Sequence, residues 1–350
     1  MTAKLDPAYS YNVNVELGGC SVRIGGWSAS LLAITVATLI ALGIGELFLR
    51  SDPRFKPPRI PLRNPPEGRF QYFEPHGYRL WPSRSTAMFY PNKDGRNLTI
   101  VANRDGFRSR RELQERDART RIVVLGDSFV FGLGVEENER FTELLEQNEP
   151  GWRVDNLGMM GFGTDLMLRT LETVGLKCHP QIVLFCIWTD DLRRVRTRFD
   201  GLGFRIPRYE LESGRLVSVP YPEPRWWDRL SIAEAIRKVY WNYTDTELRI
   251  NAAILDRFAA LARHHRFAPG LVFLPGASDS PNDKGRRFWL RQYAERNTVA
   301  LLDLTEVMVR EGRAALIEGD VHWNPHGHAI AAAEIHGFLR EKVLPSALLK

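Results

Sequence analysis

The chain has 350 residues, which is long enough for one α/β domain with additional segments. Its composition is that of a globular protein, with 44% hydrophobic and 26% charged residues, and its net charge of +6 arises from basic residues mixed with acidic ones. The sequence has no basic run and no aromatic-basic motif, which argues against a nucleic-acid-binding protein. The three cysteines, Cys20, Cys178 and Cys186, are too few and too irregularly spaced for a disulfide framework or a zinc site.

A long uncharged stretch follows an N-terminal tail over residues 1–23. Residues 24–45 contain no charged side chain, and the apolar stretch continues to Leu49 with Glu46 as its one interruption. The 22 residues of 24–45 would extend about 33 Å as a helix, enough to cross a hydrocarbon core of about 30 Å. We therefore predict a transmembrane helix over residues 24–49. A buried helix of a water-soluble protein is the alternative.

A proline-rich segment follows the predicted helix. Residues 50–66 contain six prolines, which favours a stiff, extended tether. Five basic residues lie in this segment, whereas two precede the apolar stretch. Taken by itself, the positive-inside rule therefore places the C-terminal part of the chain in the cytoplasm.

The remaining sequence predicts a mixed α/β protein. Residues 67–120 combine aromatic residues with turn signals and predict a small β-rich lead-in. Over residues 121–345, strand-like and helical stretches alternate. The strand-like runs are 122–125, 152–156, 182–187, 271–274 and 299–302, and the helical stretches are 139–147, 165–174, 247–264, 284–296, 305–313 and one that begins at 325. Alternating units with continuously apolar strands predict a parallel sheet covered by helices on both faces. Residues 193–240 interrupt this pattern and predict an inserted lid or substrate-side segment.

The sequence Gly126-Asp127-Ser128 follows the first of these apolar runs. Ligands bind at the carboxyl ends of the strands in an open α/β sheet. A glycine permits the sharp turn that would expose the serine hydroxyl and aim its backbone N–H at a reacting carbonyl oxygen. Ser128 is therefore a candidate nucleophile. The alternative is that Asp127 and Ser128 only cap the following helix.

A second polar motif, over residues 320–328, precedes an alanine-rich helical stretch. Asn324 and Pro325 suit the cap and the first position of a helix, which predicts His322 on the loop that enters it. Asp320, two residues earlier, can orient one imidazole nitrogen and leave the other to take a proton from a serine. The three histidines of the motif also suggest a metal site, but the Asn-Pro break removes the helical spacing of the first pair and the sequence shows no second ligand cluster.

Four motifs in chain order resemble the sequence blocks of the SGNH (GDSL-like) hydrolases, specifically their membrane-anchored bacterial branch. The motifs are Gly126-Asp127-Ser128, residues 156–164 with Gly161, residues 188–192 with Asp190, and Asp320-Val321-His322; residues 103–108 are also similar to that branch. The resemblance extends over about residues 70–345 and is weakest in 193–240. It implies the three-layer α/β/α, flavodoxin-like fold of the SGNH hydrolases with a parallel sheet, preceded here by the transmembrane helix.

The resemblance also implies an activity and a place in the cell. The family members are serine esterases, so this chain would act through an acyl-serine intermediate on an ester of an envelope glycan or lipid, without a cofactor or metal ion. Ser128 would be the nucleophile, with His322 and Asp320 as its proton relay. Ser128, Gly161 and Asp190 would form the oxyanion hole. The catalytic domain would face the periplasm from the inner membrane, against the count of basic residues.

Two departures from the family pattern leave alternatives open. Asp190 occupies the place of an asparagine, where an ionised carboxylate would repel the oxyanion; loss of one donor there costs about 2.7–4 kcal/mol. Asp320 lies two rather than three residues before His322, as in SGNH-like enzymes that acetylate bacterial surface polysaccharides. An O-acetyltransferase with the same triad is therefore one alternative, and a non-catalytic binding protein of the same fold is another. Gly132 and Gly134 lack the third glycine of a nucleotide-binding Rossmann domain.

Overall fold

The computed structural model of the protein describes residues 13–17, 20–24, 26–52, 55–57, 68–74, 76–90, 95–113, 117–197, 204–219, 225–242, 245–276 and 281–345. The strands in this part of the chain are β1 (Val13–Leu17), β2 (Cys20–Ile24), β3 (Phe70–Phe73), β4 (Gly77–Leu80), β5 (Ser85–Phe89), β6 (Asn97–Val101), β7 (Thr120–Leu125), β8 (Trp152–Asn156), β9 (Ile182–Trp188), β10 (Arg208–Glu212), β11 (Arg215–Val219), β12 (Ala268–Leu274) and β13 (Ala300–Asp303). The α-helices are α1 (Gly26–Ser51), α2 (Ser128–Phe131), α3 (Phe141–Asn148), α4 (Thr164–Thr173), α5 (Thr189–Arg194), α6 (Ser231–Asn242), α7 (Thr246–His265), α8 (Pro281–Asn297), α9 (Thr305–Glu311) and α10 (Pro325–Phe338).

The chain divides into two compact units. The first contains residues 1–57 and 224–243, and its described elements are the antiparallel β1–β2 hairpin, α1 and α6. The second contains residues 58–223 and 244–350. The predicted insertion over 193–240 contributes the β10–β11 hairpin to the second unit and α6 to the first. The predicted tether over 50–66 lies mostly outside the described residues.

The predicted α/β fold with a parallel sheet is confirmed in the second unit. Five strands pair in the order β13-β12-β9-β7-β8, and every pairing in this sheet is parallel. When the five are numbered along the chain, starting with β7, the order is 2-1-3-4-5, which is the flavodoxin-like arrangement. The strand order reverses between β7 and β9, so the carboxyl ends of these two strands flank the crevice where ligands bind in such sheets.

Helices cover both faces of this sheet because its strands are apolar on both sides. Along β7, Val123 and Leu125 belong to one buried cluster and Ile122 and Val124 to another. The first cluster includes buried side chains of α4 and α7, and the second includes those of α3 and α10. The unit therefore has three layers, with the sheet between two sets of helices.

The short strands before β7 also belong to the second unit. β3 pairs with β4 and β5 pairs with β6, each as an antiparallel hairpin. Tyr78 of β4 and Leu98 and Ile100 of β6 are buried in the first of the two clusters. The hairpins therefore pack on the α/β core rather than forming a core of their own.

Strand β12 is three residues longer than its sequence predicts. The apolar run predicts a strand over 271–274, whereas β12 begins at Ala268. Proline and glycine disfavour strand interiors, and Pro269 and Gly270 lie in this extension. Parallel pairing with β9 continues through both residues, from Ala268 opposite Ile182 onward, so tertiary pairing overrides the local preference.

In the first unit, α1 contains a candidate membrane span. Within Ser30–Ser51, the most apolar 18-residue stretch has a mean hydropathy of 2.2, and none of that stretch is buried within the protein. At 1.5 Å per residue, the 26 residues of α1 extend about 39 Å. By length and composition, α1 is the one helix among the described residues that could cross a membrane.

Candidate active site

Ser128 lies directly after the carboxyl end of β7, as the first residue of the short helix α2. The turn before it requires a glycine, because a Cβ at Gly126 would lie 2.2 Å from Val130 Cγ2 and 2.9 Å from the carbonyl oxygen of Cys186. Asp127 caps α2 by accepting the Phe129 N–H at 3.0 Å. Strand, turn and cap together fix the backbone that carries the Ser128 hydroxyl.

A chain of hydrogen bonds connects Ser128 to an aspartate. Ser128 Oγ lies 2.8 Å from His322 Nε2, and His322 Nδ1 lies 2.6 Å from Asp320 Oδ1. With its proton on Nδ1 donated to Asp320, the imidazole has Nε2 free to accept the serine proton. The structure therefore brings these three predicted residues together in the order that nucleophilic catalysis requires.

The loop that carries His322 is held at both sides of the imidazole. The His322 carbonyl accepts the Ile317 N–H at 2.9 Å, and the next residue, Trp323, is fully buried. Asn324 caps α10 by accepting the Gly327 N–H at 3.0 Å, and Pro325 is the first helical residue. The predicted position of His322 at the entrance of the last helix agrees with this arrangement.

The tight spacing of Asp320 and His322 has a local cause. Asp320 Oδ1 accepts the backbone N–H groups of Val321 at 2.6 Å and His322 at 3.1 Å, in addition to the His322 imidazole. An aspartate that accepts backbone donors one and two residues ahead forms an Asx-type turn. That turn folds the carboxylate back onto the imidazole, so two residues of separation are sufficient here.

Tyr90, just after β5, is a member of this cluster that the sequence analysis missed. Its hydroxyl donates a hydrogen bond to Asp320 Oδ2, whereas the His322 imidazole bonds the other oxygen, Oδ1. The hydrogen bond with His322 lowers the pKa of Asp320 most, burial opposes it, and the Tyr90 bond lowers it further. Burial and then Asp320 raise the pKa of Tyr90, which keeps the phenol protonated at neutral pH.

The loop after β8 lies against α2, the helix that begins at Ser128. A Cβ at Gly158 would lie 2.5 Å from the Phe131 backbone nitrogen, so the loop packs directly on α2. Gly161 has a φ of +81°, which favours glycine. Within the described part of the chain, neither the Gly161 nor the Ser128 backbone N–H donates a hydrogen bond. Ser128 and Gly161 as oxyanion-hole residues stay a prediction, with which these two unbonded N–H groups are compatible.

Asp190, the third predicted member of the oxyanion hole, has a partner of its own. Its carboxylate forms an ion pair with Arg193, three residues later in α5. This ion pair on the surface of a short helix is sufficient to explain a carboxylate at position 190 without a role in catalysis. Asp190 as an oxyanion-hole residue stays a prediction, and this ion pair favours a structural role.

Arg194, the residue after Arg193, extends its side chain into the site. Its Nη1 lies 3.1 Å from Asp127 Oδ2 and 2.5 Å from Asp191 Oδ1, and it donates to the Phe162 carbonyl at 3.0 Å. Burial by itself would lower the pKa of Arg194, but Asp191 and Asp127 outweigh it and raise the pKa. One guanidinium cannot neutralise two carboxylates. The pKa of Asp191 is therefore raised, first by burial and then by the charge of Asp127.

The three histidines of the C-terminal motif have separate surroundings. His322 belongs to the hydrogen-bonded chain, whereas His326 is exposed and lies 3.3 Å from Glu311. His328 is buried, and its Nδ1 accepts the Phe141 N–H at 3.3 Å. Burial, followed by the charge of Arg140, lowers the pKa of His328 to about 3, so it packs as a neutral ring. No group of three metal-ligating side chains occurs among the described residues.

Solved structures of similar architecture include a member of the lipolytic protein G-D-S-L family from Veillonella parvula (13% identity, 63% of this chain and 98% of that chain, TM-score 0.42). Two others are the psychrotrophic esterase EstA from Pseudoalteromonas sp. (14%, 63% and 97%, 0.41) and a GDSL-like lipase from Bacteroides thetaiotaomicron (15%, 66% and 92%, 0.38). No protein-family model and no curated protein matches the chain. At these identities and TM-scores the similarities support no inference about activity. An inference about activity depends on the geometry of the site.

The first prediction concerns Tyr90. Tyr90→Phe removes a hydrogen bond to a charged carboxylate, an interaction worth about 1.5–3 kcal/mol. We expect kcat/KM for a short-chain aryl ester to fall about 10-fold, which corresponds to about 1.4 kcal/mol of transition-state stabilisation. Tyr209→Phe is the matched control, because Tyr209 also donates to a carboxylate, that of Glu172 at 3.0 Å. Equal rates for the two variants would show that Tyr90 does not support the proton relay.

Proposed function

We propose that this chain is a serine hydrolase of the SGNH type, an esterase that acts through an acyl-serine intermediate. The observation that carries the proposal is the hydrogen-bonded sequence Ser128–His322–Asp320 at the carboxyl end of the central sheet. Ser128 is the proposed nucleophile, His322 the general acid and base, and Asp320 the residue that orients and stabilises the imidazolium.

The proposed reaction has two steps. In the first, His322 takes the hydroxyl proton of Ser128 as Oγ attacks the ester carbonyl, and the imidazolium then gives that proton to the departing alcohol. In the second, His322 takes a proton from water, the hydroxide attacks the acyl-serine, and the proton returns to Ser128 as the acid is released. The backbone N–H groups of Ser128 and Gly161 are the proposed donors to the oxyanion in both steps.

The substrate class and the acceptor are proposed from the resemblance. An ester of an envelope glycan or lipid is the proposed substrate, with water as the acyl acceptor. If a sugar hydroxyl replaces water in the second step, the same three residues perform O-acetyl transfer; the two-residue spacing between Asp320 and His322 is the feature that favours this second candidate. A non-catalytic binding protein would have no need for the hydrogen-bonded order of all three side chains.

Covalent labelling with a fluorophosphonate tests the proposal. The unaltered protein is expected to become labelled on Ser128, and Ser128→Ala is expected to prevent labelling. His322→Ala should slow labelling by about 10²–10⁴-fold, the range in which a positioned general base contributes. His326→Ala is the matched control, since His326 is exposed and pairs with Glu311, and should label at the unaltered rate. Undiminished labelling of Ser128→Ala would refute the assignment.

We also propose that α1 anchors the chain in the inner membrane as a single span, with the residues after 50 in the periplasm. The length and hydropathy of α1 support the anchor, and an envelope substrate supports the side. An alkaline phosphatase fusion after residue 66 tests the topology, because that reporter is active only outside the cytoplasm. We expect an active fusion. A fusion that is inactive, while a cytoplasmic reporter at the same position is active, would reverse the orientation.

A further inference from the structure

Glu46 is the one acidic residue in the apolar stretch of α1, and the backbone groups that it binds lie in α6 of the same unit. Its two carboxylate oxygens accept the backbone N–H groups of Ser231 and Ile232, each at 2.9 Å. These N–H groups are at the start of α6, where a helix has no partners of its own for its first donors. A carboxylate at that end is also favoured by the helix dipole. Glu46 therefore caps a second helix.

Arg50 completes the junction. Its Nε donates to Glu46 Oε1 at 2.7 Å, and its Nη2 donates to the Arg229 carbonyl at 3.2 Å, just before α6. Glu46 lies five residues before the end of α1 at Ser51, which corresponds to about 7.5 Å along the helix. The charged groups thus gather in the last turns of α1, the level at which a spanning helix leaves the hydrocarbon core.

The face of α6 that includes Ile232 is apolar and exposed. Ile232, Ile236 and Val239 are spaced at i, i+4 and i+7, which places them on one side of the helix. Ile236 is 63% exposed and Val239 is 57% exposed. Ile232 lies nearest α1, where its Cδ1 would be 3.9 Å from a Cβ at Gly45. The apolar face therefore begins at α1 and continues along α6.

The opposite side of α6 is charged. Arg237 pairs with Glu234 at 3.0 Å and with Asp228 at 3.0 Å, and Lys238 lies 3.7 Å from Glu234. A short helical turn before α6 adds Trp226, which is 72% exposed, and its neighbour Trp227, which is also exposed. Tryptophans concentrate at membrane–water interfaces, where an apolar ring and a polar N–H are both accommodated.

We propose that α6 and the Trp226–Arg229 turn form an interfacial membrane element, which lies on the bilayer surface at the end of α1 with Ile236 and Val239 facing the acyl chains. Such helices bury their apolar face about 5–10 Å into the boundary between headgroups and acyl chains. The occupant is lipid because the apolar face is continuous with the exposed apolar surface of α1. The inference rests on the proposed anchoring by α1. The hydrogen bonds that Glu46 accepts from Ser231 and Ile232 hold the start of α6 against α1.

Site-directed spin labelling of the full chain in lipid nanodiscs tests this inference. Single cysteines at Ile236, Val239, Lys238 and Leu39 are labelled in a Cys20→Ser background; Cys178 and Cys186 are buried and need no change. Lys238 is the matched control, on the same helix but on its charged side. Collisions with oxygen, which concentrates in lipid, are compared with collisions with a water-soluble nickel chelate. We expect the oxygen-to-nickel ratio at 236 and 239 to be several-fold higher than at 238.

The other outcomes of the spin-label experiment would place the apolar face of α6 in water or against protein. If labels at 236 and 239 are as accessible to nickel as the label at 238, the face lies in water and the inference is wrong. If both are shielded from oxygen and nickel alike, protein covers the face and the inference is also wrong. The label at Leu39, in the middle of α1, separates the two proposals: a lipid-exposed Leu39 with a water-exposed 239 leaves the anchor intact, whereas a water-exposed Leu39 refutes the anchor itself.

Discussion

The guanidinium of Arg194 connects α5 to the two loops that flank Ser128. Asp127 follows β7 and the Phe162 carbonyl belongs to the loop after β8, whereas Asp191 lies in α5 with Arg194 itself. One nitrogen of Arg194 contacts all three. Asp127 and Asp191 are fully buried, and a buried carboxylate without a partner costs several kcal/mol. The side chain therefore holds the turn before the proposed nucleophile against the loop of the proposed oxyanion donor Gly161, and the two buried aspartates favour this position of the guanidinium.

The other half of the site depends on local turns. Asp320 is folded back onto His322 by backbone donors of its own turn, and Tyr90 occupies the remaining carboxylate oxygen. These donors favour the ionised carboxylate, so the negative charge that stabilises an imidazolium persists well below neutral pH. Because Tyr90 follows a lead-in strand, the lead-in contributes a hydrogen bond to the Asp320 carboxylate of the α/β core.

Much of this could be predicted from the sequence, since the signals are local. Continuous apolar strands with alternating helices predict the sheet and its two covered faces. The motifs predict Ser128 after the carboxyl end of a strand and His322 on the loop that enters the last helix. Tyr90 could not be predicted, because it is 230 residues from Asp320 in the chain and no local pattern relates them. The partner of Asp190 could not be predicted from the sequence, because Arg193, Arg194 and Arg196 are all close enough in the chain to pair with it. The amphipathic helix α6 was not predicted. The segment over residues 193–240 is rich in proline, arginine and aromatic residues, a composition that indicates irregular structure.

In the proposed reaction, Ser128 attacks a carbonyl whose oxygen is held by the backbone N–H groups of Ser128 and Gly161. A crystal structure of the protein after reaction with a short alkyl phosphonate measures this directly, since the adduct mimics the tetrahedral intermediate. We expect phosphorus bonded to Ser128 Oγ and a phosphonyl oxygen about 2.7–3.1 Å from both backbone nitrogens. An adduct on another residue, or a phosphonyl oxygen directed away from both N–H groups, would contradict it.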